Sequence, residues 1–111
     1  MQSKYEPSRS YLDFHIAGFA HHDGLEVIDS LTLGAQVDLC CEPGNPYDTQ
    51  AVAIYFGETK IGYVPRDDNP FLFQLLYYGH DDIFVARINM VDTAAHPERQ
   101  FRVAVKIADK R

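Results

Sequence analysis

A long, proline-containing loop between two apolar segments constrains the fold of this chain more than any other feature. Residues 39–41 are apolar, residues 42–50 are rich in Pro, Gly, Asn and Asp, and residues 51–56 are apolar again. A turn that only reverses a strand usually needs about two to five residues, so this longer and stiffer loop has room for binding chemistry on a β scaffold. The polar side chains that would read a ligand there are Asn45, Tyr47 and Asp48.

The loop residues also have structural roles open to them. An asparagine before a proline is a common turn former, so Asn45 is expected either to shape the turn or to contact a ligand. The Tyr47 ring is expected to pack partly on the β scaffold. Asp48 is the strongest candidate of the three for a direct contact.

Six short segments have the pattern of β-strands, and the first and last of them alternate apolar and polar residues, which is typical of half-buried strands. They cover residues 11–17, 36–41, 51–56, 60–64, 83–91 and 101–107. Gly62, inside the fourth segment, indicates a bulge or a close approach of another backbone. Closing such strands into a barrel removes the edges that they would otherwise expose. The predicted fold is therefore mainly β, a six-stranded OB-like small β-barrel with a short helical turn (residues 25–31) and one cap helix.

The cap helix is predicted over residues 70–78. Asp68 or Asn69 would supply the capping side chain, a proline takes the first helical position, and a glycine follows the last residue. The helix is apolar nearly all round, so one face would cover the barrel interior. Its other face would leave Phe73 and Tyr77 exposed as a contact surface, unless both belong to the ordinary core.

Length and composition fit a single globular domain. We expect residues 1–10 to be a flexible leader, residues 11–108 to form the domain and residues 109–111 to be a tail. No apolar run approaches the roughly 18 residues of a membrane span, and the leader lacks the apolar stretch of a signal peptide. The adjacent Cys40 and Cys41 would point to opposite faces of a strand, so they predict reduced thiols in a cytoplasmic protein.

The net charge bears on the choice of ligand. A formal charge of −6 argues against a generic nucleic-acid binder, because neutralisation of phosphates dominates the affinity of such proteins. Screening limits the reach of a charge to about 10 Å at ordinary salt, so a local cluster of cations matters more than the total. The acidic residues group at positions 26 and 29, 67 and 68, and 81 and 82, which leaves room for such a cluster elsewhere.

Catalysis and metal binding find little support in the sequence. His21 and His22 are adjacent in a predicted loop and lack the spacing of metal ligands. No signature supplies a base beside Cys40 or Cys41, and no glycine-rich phosphate loop is present. We therefore predict a protein that is not an enzyme and that has no cofactor and no metal site.

Three motifs, in order and spacing, carry a resemblance to a known family. They are IAGF (residues 16–19), EPxNPYDxxAV (residues 42–52) and IGYVPR (residues 61–66). Over about residues 12–107 the chain resembles a HIRAN domain, a module found fused to helicase-like proteins and nucleases and also as a stand-alone bacterial protein. The resemblance implies a modified OB-type barrel.

The resemblance also implies a site for the 3′ end of single-stranded DNA. By position, Asp48 would accept a hydrogen bond from the terminal 3′-hydroxyl, and Asn45 and Tyr47 would shape the pocket around the last nucleotide. Arg66 would face a phosphate, and His21 and His22 replace a pair of rings that contacts the end of the strand. Beyond these six residues, the candidate cations are Lys60, Arg99 and Arg102 and the candidate rings are Tyr63 and Phe101.

Two functions of different classes follow from these observations. The first is a non-catalytic module that recognises single-stranded DNA ends, with DNA repair or the processing of stalled forks as its setting and a helicase or nuclease as its partner. The second is a protein-interaction adaptor that uses the same barrel and the apolar helix face without binding nucleic acid. Whether the protein is a monomer or a homodimer stays open at this point.

Overall fold

Antiparallel pairing joins six strands into one curled sheet in the computed structural model, which describes residues 10–108. The strands follow the sheet order β1-β6-β5-β2-β3-β4. Their bounds are β1 (Ser10–His15), β2 (Gln36–Glu42), β3 (Ala51–Phe56), β4 (Thr59–Tyr63), β5 (Phe84–Val91) and β6 (Phe101–Ile107). The mainly β, six-stranded prediction is confirmed. The predicted leader and tail lie outside the described residues, apart from Ser10, which begins β1.

The two edge strands of the sheet meet at a single point. Just after β1, Ala17 and Tyr63 at the end of β4 exchange two backbone hydrogen bonds of 2.9 and 2.8 Å. Gly62 lies beside this bridge, where a Cβ atom would stand 2.4 Å from Cγ2 of Ile16 and 2.6 Å from the carbonyl oxygen of Ala17. Only a residue without a side chain allows the two backbones to come this close, which is the close approach that the sequence predicted.

The core fills the inside of the curled sheet. Alternate residues of the strands point inward, so Phe14 and Ile16 from the first segment and Val103 and Val105 from β6 are all almost fully buried. The largest side chains with less than 2 % exposure are Phe19, Phe101, Ile16, Leu31, Ile54, Ile61, Leu72 and Ile88. This apolar filling fixes the strands that carry the surrounding loops.

Helical segments cover the openings of the curl. A 3-10 turn at Phe19–His21 and a longer 3-10 segment at Asp23–Ser30 follow β1, so the predicted helical turn exists and begins earlier than expected. Helix α1 spans Asn69–Tyr77 and inserts the fully buried Leu72. No helix within residues 10–108 is long and apolar enough to cross a membrane.

Two details of the cap helix differ from the prediction. Asp68 precedes the helix but its side chain makes no capping hydrogen bond, because the backbone there is already helical, and the Asn69 side chain is directed elsewhere. The Phe73 ring packs against the core and is half-buried, whereas Tyr77 is exposed as expected. Phe71 and Tyr78, the residue after the helix, are exposed as well.

The two adjacent cysteines lie on opposite sides of β2. Both are free thiols, with Cys40 exposed and Cys41 half-buried. Burial raises the pKa of the Cys41 thiol, which keeps it protonated and unreactive at neutral pH. The prediction that they form no bridge with each other is confirmed.

Candidate functional site

A cleft of about 960 Å³ opens beside the bridge that closes the sheet. Three walls form it: the segment after β1, the loop between β2 and β3, and the chain that runs from the end of β4 to the start of α1. Its volume is near the upper end of the range for small-ligand sites, about 300–1,000 Å³. Seven residues predicted from the sequence line it, namely His21, His22, Asn45, Tyr47, Asp48, Tyr63 and Arg66.

Asn45 organises the loop between β2 and β3. Its Oδ1 accepts hydrogen bonds from the backbone N–H groups of Tyr47 (2.8 Å) and Asp48 (3.1 Å). Its Nδ2 donates to Oε1 of Glu42 (3.1 Å) and to the hydroxyl of Tyr63 (3.4 Å). Every polar site of the side chain is thereby used inside the protein, so Asn45 shapes the cleft and has no capacity left for a ligand.

Asp48 is held in place as an ionised acceptor. Oδ1 accepts a hydrogen bond from the backbone N–H of Gln50 and Oδ2 accepts one from Nδ2 of Asn69, each at 2.9 Å. These two bonds, together with the Arg66 guanidinium 3.7 Å away, lower the pKa of the Asp48 carboxyl. A carboxylate has about four lone-pair sites, so Asp48 keeps acceptor capacity on a side chain that lines the cleft.

The Tyr47 ring stands free of the barrel, with 84 % of the residue exposed. The expectation that the ring packs on the barrel is wrong, because two hydrogen bonds hold the Tyr47 backbone so that its side chain points to solvent. Oδ1 of Asn45 accepts a hydrogen bond from the Tyr47 N–H, and the Arg66 guanidinium donates one to the Tyr47 carbonyl oxygen. The structure therefore presents an aromatic ring to solvent at the cleft. The Arg66 guanidinium contacts both the Tyr47 carbonyl oxygen and the Asp48 carboxylate.

Glu42 and Tyr63, which line the cleft, form a half-buried polar cluster with Lys60 behind its lining. Nζ of Lys60 lies 2.6 Å from Oε2 of Glu42, and the Tyr63 hydroxyl donates to Oε1 of Glu42 at 2.7 Å. Burial alone would raise the pKa of Glu42, but the hydrogen bonds from Lys60, Tyr63 and Asn45 outweigh burial and lower it. Burial opposes the Lys60 charge as well, and its bonds to Glu42 and Tyr63 reverse that effect and raise its pKa.

The two histidines contribute ring surface to the cleft. The half-buried His22 ring meets the Tyr63 ring edge-on, with centroids 5.2 Å apart, and His21 is exposed beside it. Burial lowers the pKa of His22, and the charges of Lys60 and His21 lower it further. The His22 ring is therefore neutral at pH 7 and offers stacking surface and a hydrogen-bonding nitrogen.

Comparison with known proteins places the chain in a family. The model of the HIRAN domain matches residues 10–108. The chain belongs to the HIRAN family. A search of the curated proteins found no match.

Two solved structures resemble this HIRAN domain. A protein from Lactobacillus plantarum superimposes with a TM-score of 0.73 at 20 % sequence identity, covering 89 % of this chain and 91 % of that one. The HIRAN domain of human HLTF superimposes with a TM-score of 0.62 at 14 % identity, covering 89 % of this chain and 76 % of that one. At these identities the likeness establishes the shared fold.

Two residues of the predicted site lie outside the HIRAN cleft. Phe101 is 1 % exposed and packs against Phe19 with ring centroids 4.9 Å apart, so its predicted contact with a ligand is wrong. The alternation of β6 directs it inward. Lys60 is not among the residues that line the cleft, and its charge is committed to Glu42.

Sequence reasoning missed the role of two residues that line the cleft, Glu42 and Asn69. In the sequence, Glu42 is noticeable only as part of a motif and Asn69 only as a candidate helix cap. Asn69 is 2 % exposed and holds Asp48 from a distance of 21 positions along the chain. An asparagine directly before a proline gives no local sign of such a contact. Within residues 10–108, no group of three His, Cys, Asp or Glu side chains is placed to hold a metal ion.

We expect Glu42→Gln to destabilise this HIRAN domain by about 2 kcal/mol at pH 7, because Lys60 would remain half-buried without its counter-charge. The folded-state pKa of Glu42 lies below its ordinary value of 4.5. Its ionisation therefore stabilises the fold above that value and loses the effect as the pH falls through the folded pKa. Urea unfolding of both proteins at pH 7 and pH 3.5 should show the difference narrowing in acid. An equal difference at both pH values would contradict this role.

Proposed function

We propose that this HIRAN domain is a non-catalytic module that binds the 3′-hydroxyl end of single-stranded DNA in the cleft around Asp48. HIRAN domains are generally modules for single-stranded DNA and its 3′ ends. The observation that carries the proposal is the Asp48 carboxylate, which is ionised, held by Gln50 and Asn69 and still able to accept a hydrogen bond. A carboxylate accepts a bond from a hydroxyl group and repels a phosphate, so it would select an unphosphorylated 3′ end.

The exposed rings support the same ligand. Stacking of a base on an aromatic side chain contributes about 1–3 kcal/mol and tolerates any base. Tyr47 presents such a ring at the cleft, and the neutral His22 ring also lines it. Binding would then depend on the end of the strand and little on its sequence.

The charge of the cleft is compatible with a strand end despite the acidic total. Glu42 is paired with Lys60 and Asp48 lies beside Arg66, so the two carboxylates of the cleft have cations within 4 Å. A terminal nucleoside, which is uncharged, fits this balanced environment. The phosphates further along the strand need cations outside the cleft.

The test compares 5′-labelled oligonucleotides that end in a 3′-hydroxyl or a 3′-phosphate. Fluorescence anisotropy titrations at pH 7.5 and low salt should give affinities that differ by about tenfold or more in favour of the hydroxyl, the size of a hydrogen bond to a charged acceptor. Equal affinities, or no binding to either strand, would contradict the proposed function.

A module that holds a 3′ end without cleaving it would act beside an enzyme that uses the same end. We therefore propose a helicase or nuclease of DNA repair or stalled-fork processing as its partner class. Digestion of a forked substrate by a 3′-end nuclease should change when the domain is added, and only when the end carries a hydroxyl group. The same change with a 3′-phosphate end would argue against end capture.

An aromatic surface on α1 favours a second function, contact with another protein. Phe71, Tyr77 and Tyr78 are 49 %, 53 % and 73 % exposed, and the rings of Tyr77 and Tyr78 meet edge-on at 5.1 Å. Clustered exposed rings mark contact surfaces more often than single ones do.

If this surface mediates self-association, Tyr77→Glu should shift the protein to a later elution volume in size-exclusion chromatography at micromolar concentration. Association would bury the new glutamate carboxylate against an apolar partner surface, and removing that charge from water is unfavourable. Leu33→Glu, at an exposed position away from the helix, is the matched control and should elute as the wild type does. Identical elution of all three proteins would rule out self-association through this surface.

A further inference from the structure

The turn between β5 and β6 holds one wall of the cleft from a distance of 80 positions along the chain. Glu98 lies in the 3-10 turn Pro97–Arg99, and its Oε2 accepts a hydrogen bond of 2.8 Å from the backbone N–H of Gly18. Gly18 lines the cleft, whereas neither Glu98 nor the candidate cation Arg99 does. What this turn brings to the cleft wall is therefore an acceptor for a backbone N–H.

Gly18 opens the histidine wall of the cleft, residues 18–22. Its carbonyl oxygen accepts a hydrogen bond of 3.0 Å from the backbone N–H of His21 in the 3-10 turn Phe19–His21. Its φ of +71° is a left-handed conformation that glycine adopts readily. The His22 ring lies close by, since a Cβ atom at Gly18 would stand 3.6 Å from Nε2 of His22, at ordinary van der Waals distance. The direction of the Gly18 peptide group thereby sets the position of both histidines.

Glu98 is itself held in place. The backbone N–H of Glu98 donates to Nδ1 of His96 at 3.2 Å, and the N–H of Arg99 donates to the His96 carbonyl oxygen at 2.7 Å. The Glu98 side chain is half-buried, which weakens the competition of water for its bond to Gly18. On the other side, the bridge that closes the sheet fixes the residue directly before Gly18. Gly18 is thus held between this bridge and the Glu98 carboxylate.

We propose that Glu98 is a positioning residue of the cleft, which holds the histidine wall through Gly18 where its rings can contact a terminal nucleotide. This inference rests on the proposed function and deepens it, because it makes the affinity for a strand depend on a residue outside the cleft. The role needs the length of the side chain and an acceptor oxygen, and it does not need the charge. A direct effect of the charge would have the opposite sign, since a carboxylate beside the cleft repels the phosphates of a strand.

Three substitutions separate the reach of the side chain from its charge. Glu98→Gln keeps the length and an acceptor oxygen, Glu98→Asp keeps the charge on a shorter side chain, and Glu98→Ala removes both. Fluorescence anisotropy with a 3′-hydroxyl hexanucleotide should give the wild-type affinity for Glu98→Gln. It should give an affinity about fivefold weaker for Glu98→Asp and Glu98→Ala, the size of one hydrogen bond. Glu58→Ala, at an exposed acid in the turn between β3 and β4, is the matched control and should bind as the wild type does.

Nuclear magnetic resonance of the free proteins gives a second readout that needs no DNA. The backbone amide of His21 and the ring signals of His22 should move in Glu98→Asp and Glu98→Ala but keep their wild-type positions in Glu98→Gln. The side-chain amide of Asn69, which donates to Asp48, should not move in any variant. Movement of the Asn69 signals together with those of the histidines would indicate a general loss of structure and contradict a positioning role.

The outcomes separate this inference from the proposed function. Wild-type affinity and unmoved histidine signals in Glu98→Ala would overturn the positioning role, and so would tighter binding in both Glu98→Gln and Glu98→Ala, which would identify an effect of the charge. The preference for a 3′-hydroxyl over a 3′-phosphate should persist in all variants, because Asp48 sets it. Equal binding of the two ends by the wild type would contradict the end pocket alone. If the wild type bound no strand, the proposed function would fail, and the resonance measurement would decide the role of Glu98 in the histidine wall.

Discussion

Replacing Asp48 with asparagine is expected to remove most of the preference for a 3′-hydroxyl end, a loss of about tenfold or more in the ratio of affinities. Asparagine keeps the size of the side chain and removes its charge. The hydrogen bond from the terminal hydroxyl would lose its charged acceptor, and a terminal phosphate would no longer meet a carboxylate. Both changes act in the same direction on the ratio.

The measurement needs a control for folding, because Asp48 also has a structural task. The almost completely buried Asn69 donates to Asp48, and the substitution places two amides against each other. Urea unfolding should therefore accompany the titrations. Asp67→Asn removes the same charge from an exposed neighbour outside the cleft and should leave the ratio unchanged. A folded Asp48→Asn protein with the wild-type ratio would contradict the role of Asp48 in end recognition.

Gly62→Ala is expected to destabilise the domain by about 3 kcal/mol, the upper part of the usual range for an overpacked core. The new Cβ would stand 2.4 Å from a buried methyl of Ile16 and 2.6 Å from the carbonyl oxygen of Ala17. That oxygen accepts the Tyr63 N–H in the bridge that closes the sheet, so it cannot retreat without breaking the closure.

Urea unfolding of Gly62→Ala measures this effect. Gly44→Ala is the matched control, because a Cβ at Gly44 has no atom within 4 Å; its stability should stay within about 0.5 kcal/mol of the wild type. Since the bridge forms one edge of the cleft, oligonucleotide binding should weaken in Gly62→Ala as well. Wild-type stability in Gly62→Ala would show that the strands meet in another way.

The sequence predicted what is decided by local pattern. Alternation of apolar residues over a few positions determines which face of a strand is buried, and so the strands and the inward position of Val103 and Val105 were predictable. The same pattern placed Phe101 inside, and its proposed contact with a ligand failed for that reason. The close approach at Gly62 was predictable because a glycine inside a strand often marks a bulge or a neighbouring backbone.

Within the site, the sequence revealed the residues whose contacts are local and missed those whose contacts are distant. Asn45 and Asp48 accept hydrogen bonds from backbone N–H groups two or three positions away, so the turn chemistry of the loop revealed them. Asn69 reaches the site by donating to Asp48, and the Glu98 carboxylate reaches it by accepting a hydrogen bond from the backbone N–H of Gly18; no spacing in the sequence marks such contacts. The commitment of Lys60 to Glu42 was hidden likewise, because it joins residues on different strands.

Nuclear magnetic resonance tests the central claim most directly, because Asn69 reports on Asp48. The side-chain amide of Asn69 donates to the Asp48 carboxylate, and the backbone amides of Tyr47, Asp48 and Gln50 belong to the same network. Titration with a short 3′-hydroxyl strand should give its largest shifts at these four positions, and a 3′-phosphate strand should shift them little. If a strand binds while these resonances stay unchanged, the end is not held at Asp48.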